Sequence, residues 1–251
     1  MLTKDDISEF QKKGFIILKN GLQEEELNLL HEEADTLSNY LMSEGYDLIT
    51  DLGCVVEPWT CGYLDLPEEA NSYKTDAYEY SRIRDTLYWP NTCTITASHI
   101  ILDKYGNYAA QLLDQQIVYL LNEQFIIKPP TSSSSSSSFA WHRDSDYYRD
   151  DRHRAICSIA CWTALDSVTE HNGTIEIEDF LGTHHTICAE AGTIVFMSDQ
   201  LLHKSTCNLS SKFRRVYMNQ FSASPLYYLD SNERCLALAV PSPFQNPFGH
   251  K

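Results

Sequence analysis

From Ala155 onward the chain is cut into short apolar segments separated by turn residues, and this punctuation constrains the fold more than any other feature. Ala155–Leu165, Thr174–Ile177, Thr186–Cys188, Gly192–Met197 and Arg215–Ser222 each read as a strand, with turns through 166–173 and at Gly182. Regular short strands with Gly, Asn and Asp between them argue for a sandwich or barrel, and Ala155–Leu165 alternates enough to be half buried. Ile117–Lys128, β-branched and aromatic, is a further strand ended by Pro129-Pro130.

Upstream the pattern is helical. Thr3 serves as N-cap for a short helix to Lys13, Gly14–Lys19 reads as a strand, and Leu22–Leu41 carries an apolar stripe among many acids. Further helices are expected over Asp76–Tyr88 and Asn91–Tyr105. Residues 45–75, with Gly45, Gly53, Pro58, Gly62 and Pro67, form an irregular stretch. It reads equally as a lid or pocket wall and as a segment without a legible pattern. Tyr73, Tyr78, Tyr80, Tyr88 and Trp89 read as packing between helix and sheet in preference to a substrate box. Helices first and strands later give a jelly roll (double-stranded β-helix, cupin-like), mainly β with flanking α-helices. The 251 residues fit one domain: helical support over about 1–116, the jelly-roll core over about 117–225 and a tail over 226–251.

Charge narrows the partners. A net charge of −16 repels phosphate backbones and anionic headgroups, so neither nucleic acid nor a membrane surface is expected. The N-terminus lacks a basic-then-apolar leader and no run approaches a membrane span, which predicts a cytoplasmic protein, monomer or homodimer. The eight cysteines include no Cys-x-x-Cys pair and read as reduced, mostly buried thiols. Ser132–Ser138 is an unbroken serine tract expected to be a mobile loop, either a gate or an inert expansion.

The chemistry centres on Trp141-His142-Arg143-Asp144. On an extended segment His142 and Asp144 project to one side, as two members of a facial metal site of two histidines and one carboxylate. His153, His171, His184, His185 and His203 are candidates for the third member. His203 follows the strand Gly192–Met197 and lies far enough from His142 to come from the opposite sheet of a jelly roll. Arg214 beyond it is the residue expected where a planar, always charged fork grips a dicarboxylate.

These motifs, in this order, resemble the phytanoyl-CoA dioxygenase family of iron(II)/2-oxoglutarate oxygenases. Leu2-Thr3 with Asp6-Ile7, Phe10 and Gly14-Phe15-Ile16-Ile17-Leu18 looks like the family's start. Lys128-Pro129-Pro130 followed by Trp141-His142, Asp144 and Tyr147 looks like its metal strand. Trp162-Thr163-Ala164-Leu165-Asp166, Asn172-Gly173-Thr174 and Gly182-Thr183-His184 resemble its central segments, with Thr183 in place of the usual serine and the serine tract in place of a Gly-rich loop. His203, Ser205, Asn208, Ser210 and Arg214 resemble its final block.

The resemblance implies that His142, Asp144 and His203 bind Fe(II), and that Arg214 pairs with the distal carboxylate of 2-oxoglutarate. Gln124 and Trp162 would line the co-substrate pocket. Lys128 is a further candidate there that could equally face solvent. It also implies O2 as oxidant, succinate and carbon dioxide as co-products, and hydroxylation, desaturation, cyclisation or epimerisation of a small-molecule substrate. Asp144 fills a position that related halogenases leave small. An acidic chain is a poor host for the polyanionic CoA group, which favours a small metabolite, amine-bearing or lipid-like. Arg149, Arg152 and Arg154 could meet a substrate carboxylate or pair at the surface with Asp150 and Asp151. Two readings stand beside the oxygenase: a jelly-roll metal-binding module without activity, and a zinc hydrolase on the same triad with Glu170 or Glu176 as base.

Overall fold

The computed structural model describes residues 1–66, 72–87, 95–130, 137–148, 151–226 and 238–241. Local signals set the first elements. The Asp6 amide donates to the Thr3 hydroxyl and the Thr3 amide to the Asp6 carboxylate, a capping box that opens α1 (Lys4–Lys13). Gly14, at φ 81°, ends it and turns the chain into β1 (Phe15–Leu18). α2 (Glu24–Ser43) buries Leu29, Leu30, Leu37 and Leu41, the expected stripe. β2 (Val55–Val56) and α3 (Ala77–Arg84), capped by Asp76, precede a continuous helical run of Ala97–His99, a π-helical Ile100–Tyr105 and Gly106–Leu113.

β3 covers Ile117–Lys128, as its composition predicts. Then come β4 (Phe139–His142), β5 (Ser158–Ala164), β6 (Ile175–Glu178), β7 (His184–Ile187), β8 (Ile194–Ser198), β9 (Leu202–Ser205), β10 (Arg214–Ser222) and β11 (Leu238–Pro241). The larger sheet runs β1-β8-β5-β10-β3-β11 with β2 also on β3, and the smaller runs β4-β9-β6-β7; all pairs are antiparallel. The two sheets make the jelly roll. Trp162, Val195, Val216 and Met218 of the larger sheet pack on Ile175 and Ile187 of the smaller, while Leu37, Tyr80, Ile100 and Tyr105 of the helices cover the larger sheet's other face.

This layering corrects several expectations. Ala155–Leu165 is not a half-buried strand: Asp151–Arg154 is a helical turn, and β5, central and covered on both faces, is buried at every residue. His203 does follow the expected strand, β8, but is not in a loop beyond it; it sits on the next strand, β9. Asp144 is not on the strand of His142 but opens a 3₁₀ turn, Asp144–Tyr147. Tyr78 is not buried between helix and sheet but 73% exposed, whereas Tyr80 is fully buried; Tyr88 and Trp89 lie outside the described residues. Of the described cysteines, all unpaired, Cys54 and Cys161 are buried but Cys157 and Cys188 are exposed. The serine tract up to Ser136 lies outside the described residues, while Ser137 is buried and its hydroxyl accepts from the Asn208 amide.

Candidate metal centre

His142 ends β4 and His203 is central in β9, and the two are register partners on adjacent strands of the smaller sheet. The opposite-sheet expectation for His203 is therefore corrected: cross-strand pairing, not sheet-to-sheet packing, brings the rings together, with centroids 4.3 Å apart. Each ring is tied the same way. His142 Nδ1 lies 2.8 Å from the Ala140 carbonyl and His203 Nδ1 3.0 Å from the Leu201 carbonyl. A carbonyl only accepts, so both Nδ1 atoms carry the proton and both Nε2 lone pairs point inward.

The 3₁₀ turn brings Asp144 beneath them. Its Oδ1 is 3.8 Å from His142 Nε2 and 3.7 Å from His203 Nε2, and one ligand atom from each residue lies within 4.8 Å of the others. Asp144 and His203 are buried and His142 is half-buried. Burial pushes the His203 imidazole below its usual pKa, against the pull of Asp144, which favours the neutral ring a metal requires. Two imidazole nitrogens and one carboxylate oxygen fit a divalent first-row ion.

A cavity of about 680 Å³ opens on this triad, between the sheets, and His142, Asp144, His203, Arg214, Gln124 and Trp162 all line it. Even spacing along β10 turns Arg214, Val216, Met218 and Gln220 to the same face. Gln124 and Trp162 flank Met218 from the neighbouring strands. Arg214 is fully buried, and its Nε has no hydrogen-bond partner among the described residues. Burial lowers its pKa to about 10. A buried guanidinium with an idle donor is an anion site in waiting, because an unmade charged hydrogen bond is costly.

Lys128 does not face solvent. It is fully buried opposite Arg214 in register, behind the cavity wall, and donates from Nζ to Ser205 Oγ at 2.7 Å and the Thr206 carbonyl at 2.5 Å. Burial, aided by Arg214, lowers its pKa to about 6.

The irregular stretch 45–75 supplies part of the wall. Val55, Glu57, Trp59, Thr60 and Tyr73 line the cavity. Trp59 and Tyr73 stack with centroids 4.6 Å apart and planes 1° from parallel. Tyr147 and Tyr148 complete an aromatic end. Trp59 Nε1 donates to the buried Glu123 carboxylate, which also accepts from Tyr80, Tyr217 and Arg84. Sequence reasoning left out Gln220 and Trp59, and gave Ser205 no role of its own. Gln220 was findable, since it shares Arg214's strand parity; Trp59 carried no periodic signal. Glu170 is exposed and Glu176 pairs with Lys204 at 3.0 Å, so neither proposed hydrolytic base reaches the cavity. Arg154 bonds the Tyr148 carbonyl and Asp151 in exposed positions, which suits the surface reading; Arg149 and Asp150 lie outside the described residues.

Comparisons with known proteins follow the same lines. No curated protein matches the sequence. Among solved structures, the chain is similar to the non-heme alpha ketoglutarate dependent carbocyclase SnoK from nogalamycin biosynthesis, with a TM-score of 0.67, 12% identity and coverage of 95% of this chain and 96% of that one. It is similar to the epimerase SnoN in complex with Fe3+, alpha ketoglutarate and nogalamycin RO, at TM-score 0.60 and 12% identity over 99% and 91% of the two chains. It is also similar to EctD from S. alaskensis with 2-oxoglutarate and 5-hydroxyectoine, at TM-score 0.60 and 16% identity over 88% and 76%. At such identities these likenesses establish the jelly-roll fold alone. The model of the phytanoyl-CoA dioxygenase (PhyH) family matches residues 10–177, well over half of the sequence, and the chain belongs to that family.

Proposed function

We propose that this protein is an Fe(II)- and 2-oxoglutarate-dependent oxygenase that oxidises, most simply by hydroxylation, a small molecule. The observation that carries the reading is the pairing, in one cavity, of the His142–Asp144–His203 triad with the buried guanidinium of Arg214, whose Nε has no partner among the described residues. His142 Nε2, His203 Nε2 and Asp144 Oδ1 would hold the iron. Iron bound there with 2-oxoglutarate supplies oxygen activation coupled to decarboxylation of the co-substrate to succinate and carbon dioxide.

The chain's own residues bind, orient and exclude water. Arg214 would take the distal carboxylate of 2-oxoglutarate as a fork, Gln124 and Trp162 would wall the co-substrate on either side of Met218, and Lys128 would brace the wall behind Arg214 through its bonds to Ser205 and Thr206. The apolar ends of Ile126, Ile175 and Met197 keep that end dry. The aromatic end at Trp59, Tyr73, Tyr147 and Tyr148 suits a ring-bearing or extended apolar substrate, with Glu57 and Asn122 as polar points of orientation. Among the described residues no helix is long and apolar enough to cross a membrane, and the reading is of a metabolite enzyme acting in the cytosol. The hydrolase alternative loses its two candidate bases, and the inactive-module alternative leaves Arg214 without a purpose.

Anaerobic titration of Fe(II)-loaded protein with 2-oxoglutarate tests this. A weak visible charge-transfer band is expected in the native protein, absent in Asp144→Ala and displaced to far higher co-substrate concentration in Arg214→Met. Iron uptake without a band at saturating 2-oxoglutarate would sink the oxygenase reading.

A further inference from the structure

The two oxygens of Asp144 have different surroundings. Oδ1 faces both histidine Nε2 atoms, at 3.8 and 3.7 Å, while Oδ2 accepts a hydrogen bond from Gln220 Nε2 at 2.9 Å. A carboxylate offers no proton here, so Gln220 must present its NH2 group and turn its Oε1 away. That Oε1 faces Asn122 Nδ2 at 3.5 Å, a donor, which agrees with the same orientation.

The strand pairing is irregular next to this amide. Gln220 pairs with Asn122, but Phe221 pairs with Leu120, so β3 carries an extra residue, Leu121, opposite that step of β10. Such a bulge reverses the alternation of faces along β3. Leu121 and Asn122 therefore both line the cavity, where a regular strand would send one of them toward the helices. Asn122 is held beside Gln220, and Gln220 is held over Asp144.

From these contacts we infer that Gln220 is a positioning residue of the metal centre, which occupies Asp144 Oδ2 so that the carboxylate offers a metal only Oδ1. This inference rests on the metal reading of the triad. Its consequence is for the open coordination positions. Two histidines and one carboxylate oxygen leave half of an octahedron open, which is what a chelating co-substrate and oxygen together need; a chelating aspartate would take one of those positions. Gln220 itself touches neither metal nor co-substrate in this account, and acts through Asp144.

Co(II) is the probe for the test, because it takes the place of Fe(II), is stable in air and reports its coordination in its visible bands. Full-length protein and the variants Gln220→Met, Gln220→Glu, Asp144→Ala and Gln220→Met/Asp144→Ala are titrated with Co(II), with thermal unfolding of each metal-free protein recorded beside them. Methionine keeps the length of the side chain and removes the donor. The expected result is a loss of Co(II) affinity of roughly 10–100-fold in Gln220→Met, the range for removal of an outer partner of a ligand. A changed visible spectrum and a metal-free melting temperature close to native should accompany it. In the Asp144→Ala background the same substitution should change affinity little, which a merely structural role would not produce. Gln220→Glu, which sets a second carboxylate against Oδ2, should also alter the spectrum. Native affinity and spectrum in Gln220→Met, or an equal loss with and without Asp144, overturns the inference. Native protein that takes up no Co(II) overturns the metal reading first, a distinct outcome that removes this inference with it.

Discussion

His142 and His203 occupy paired positions on adjacent strands, and each is fixed by the same bond from Nδ1 to the carbonyl two residues before it. The repeat matters because it sets both tautomers with backbone groups alone, with no side chain to mutate or misplace. Two inward lone pairs beside one carboxylate make a preorganised site.

Removing one ring should therefore remove the site without removing the fold. His203→Gln is expected to lower Co(II) affinity at least about 100-fold, beyond the effect of losing an outer partner. Far-ultraviolet circular dichroism should stay native. Equilibrium dialysis with metal analysis decides it, and stoichiometric uptake at native affinity would exclude His203 as a ligand.

Arg214 offers a sharper separation of stability from binding. Its charge is buried with an idle Nε and one long bond, 3.5 Å, to the Ile126 carbonyl. A buried cation without an anion costs folding energy, so Arg214→Met should leave metal-free stability unchanged or raise it by about 1 kcal/mol. The same change should weaken 2-oxoglutarate binding roughly 100-fold, as expected for charge-assisted bonds worth about 1.5–3 kcal/mol each. Thermal shift with and without 2-oxoglutarate on metal-loaded protein reads both. A strongly destabilised Arg214→Met with its ligand response intact would mean the guanidinium is structural.

Gly173 controls the wall behind Arg214. It stands at φ +101°, and a Cβ there would lie 3.0 Å from the Thr206 carbonyl oxygen and 3.2 Å from Lys128 Cδ. Both the backbone conformation and the space oppose a side chain. Gly173→Ala should cost about 1–3 kcal/mol, measured as a lowered urea midpoint at unchanged slope. It should also displace Lys128, which is held by Ser205 and Thr206, and so weaken 2-oxoglutarate binding more than a remote substitution of equal cost. Native stability would show that the loop from Thr206 yields freely.

Much of this site could be read from residue types, and less from their spacing. β3 was legible because its β-branched run is uninterrupted and ends at two prolines, and α1 because Thr3 and Asp6 cap it locally. His142, Asp144 and Arg214 stood out because metal and dicarboxylate chemistry demand those groups. β9 did not stand out: Leu202-His203-Lys204-Ser205 has no apolar alternation, and only pairing with β4 and β6 makes it a strand. The bulge at Leu121 leaves no mark on composition, so the turn of Leu121 into the cavity was hidden. Trp59 reaches the cavity through a bond to Glu123, far along the chain, and such contacts have no local signature.

One carboxyl in the network behind Trp59 titrates in the physiological range. Arg84, fully buried, meets Glu33 at 2.9 and 2.7 Å and Glu123 at 3.1 Å, so two carboxylates share one guanidinium. Glu123 has further donors in Tyr80, Tyr217 and Trp59, whereas Glu33 has Arg84 alone of these. Glu33 is therefore the carboxyl that keeps a proton: burial, against Arg84 and with Glu123, pushes its pKa from the usual 4.5 up to about 7. The folded state binds this proton more tightly than the unfolded chain does. Its contribution to stability is complete below about 4.5 and is lost as pH rises through about 7. In Glu33→Gln this dependence disappears. Urea midpoints measured at about pH 5 and about pH 8 should fall further between the two in native protein than in the variant. Equal falls would place the proton elsewhere. Arg84→Met, which strands both carboxylates without a cation, should cost about 3–5 kcal/mol and loosen Trp59 from the cavity wall.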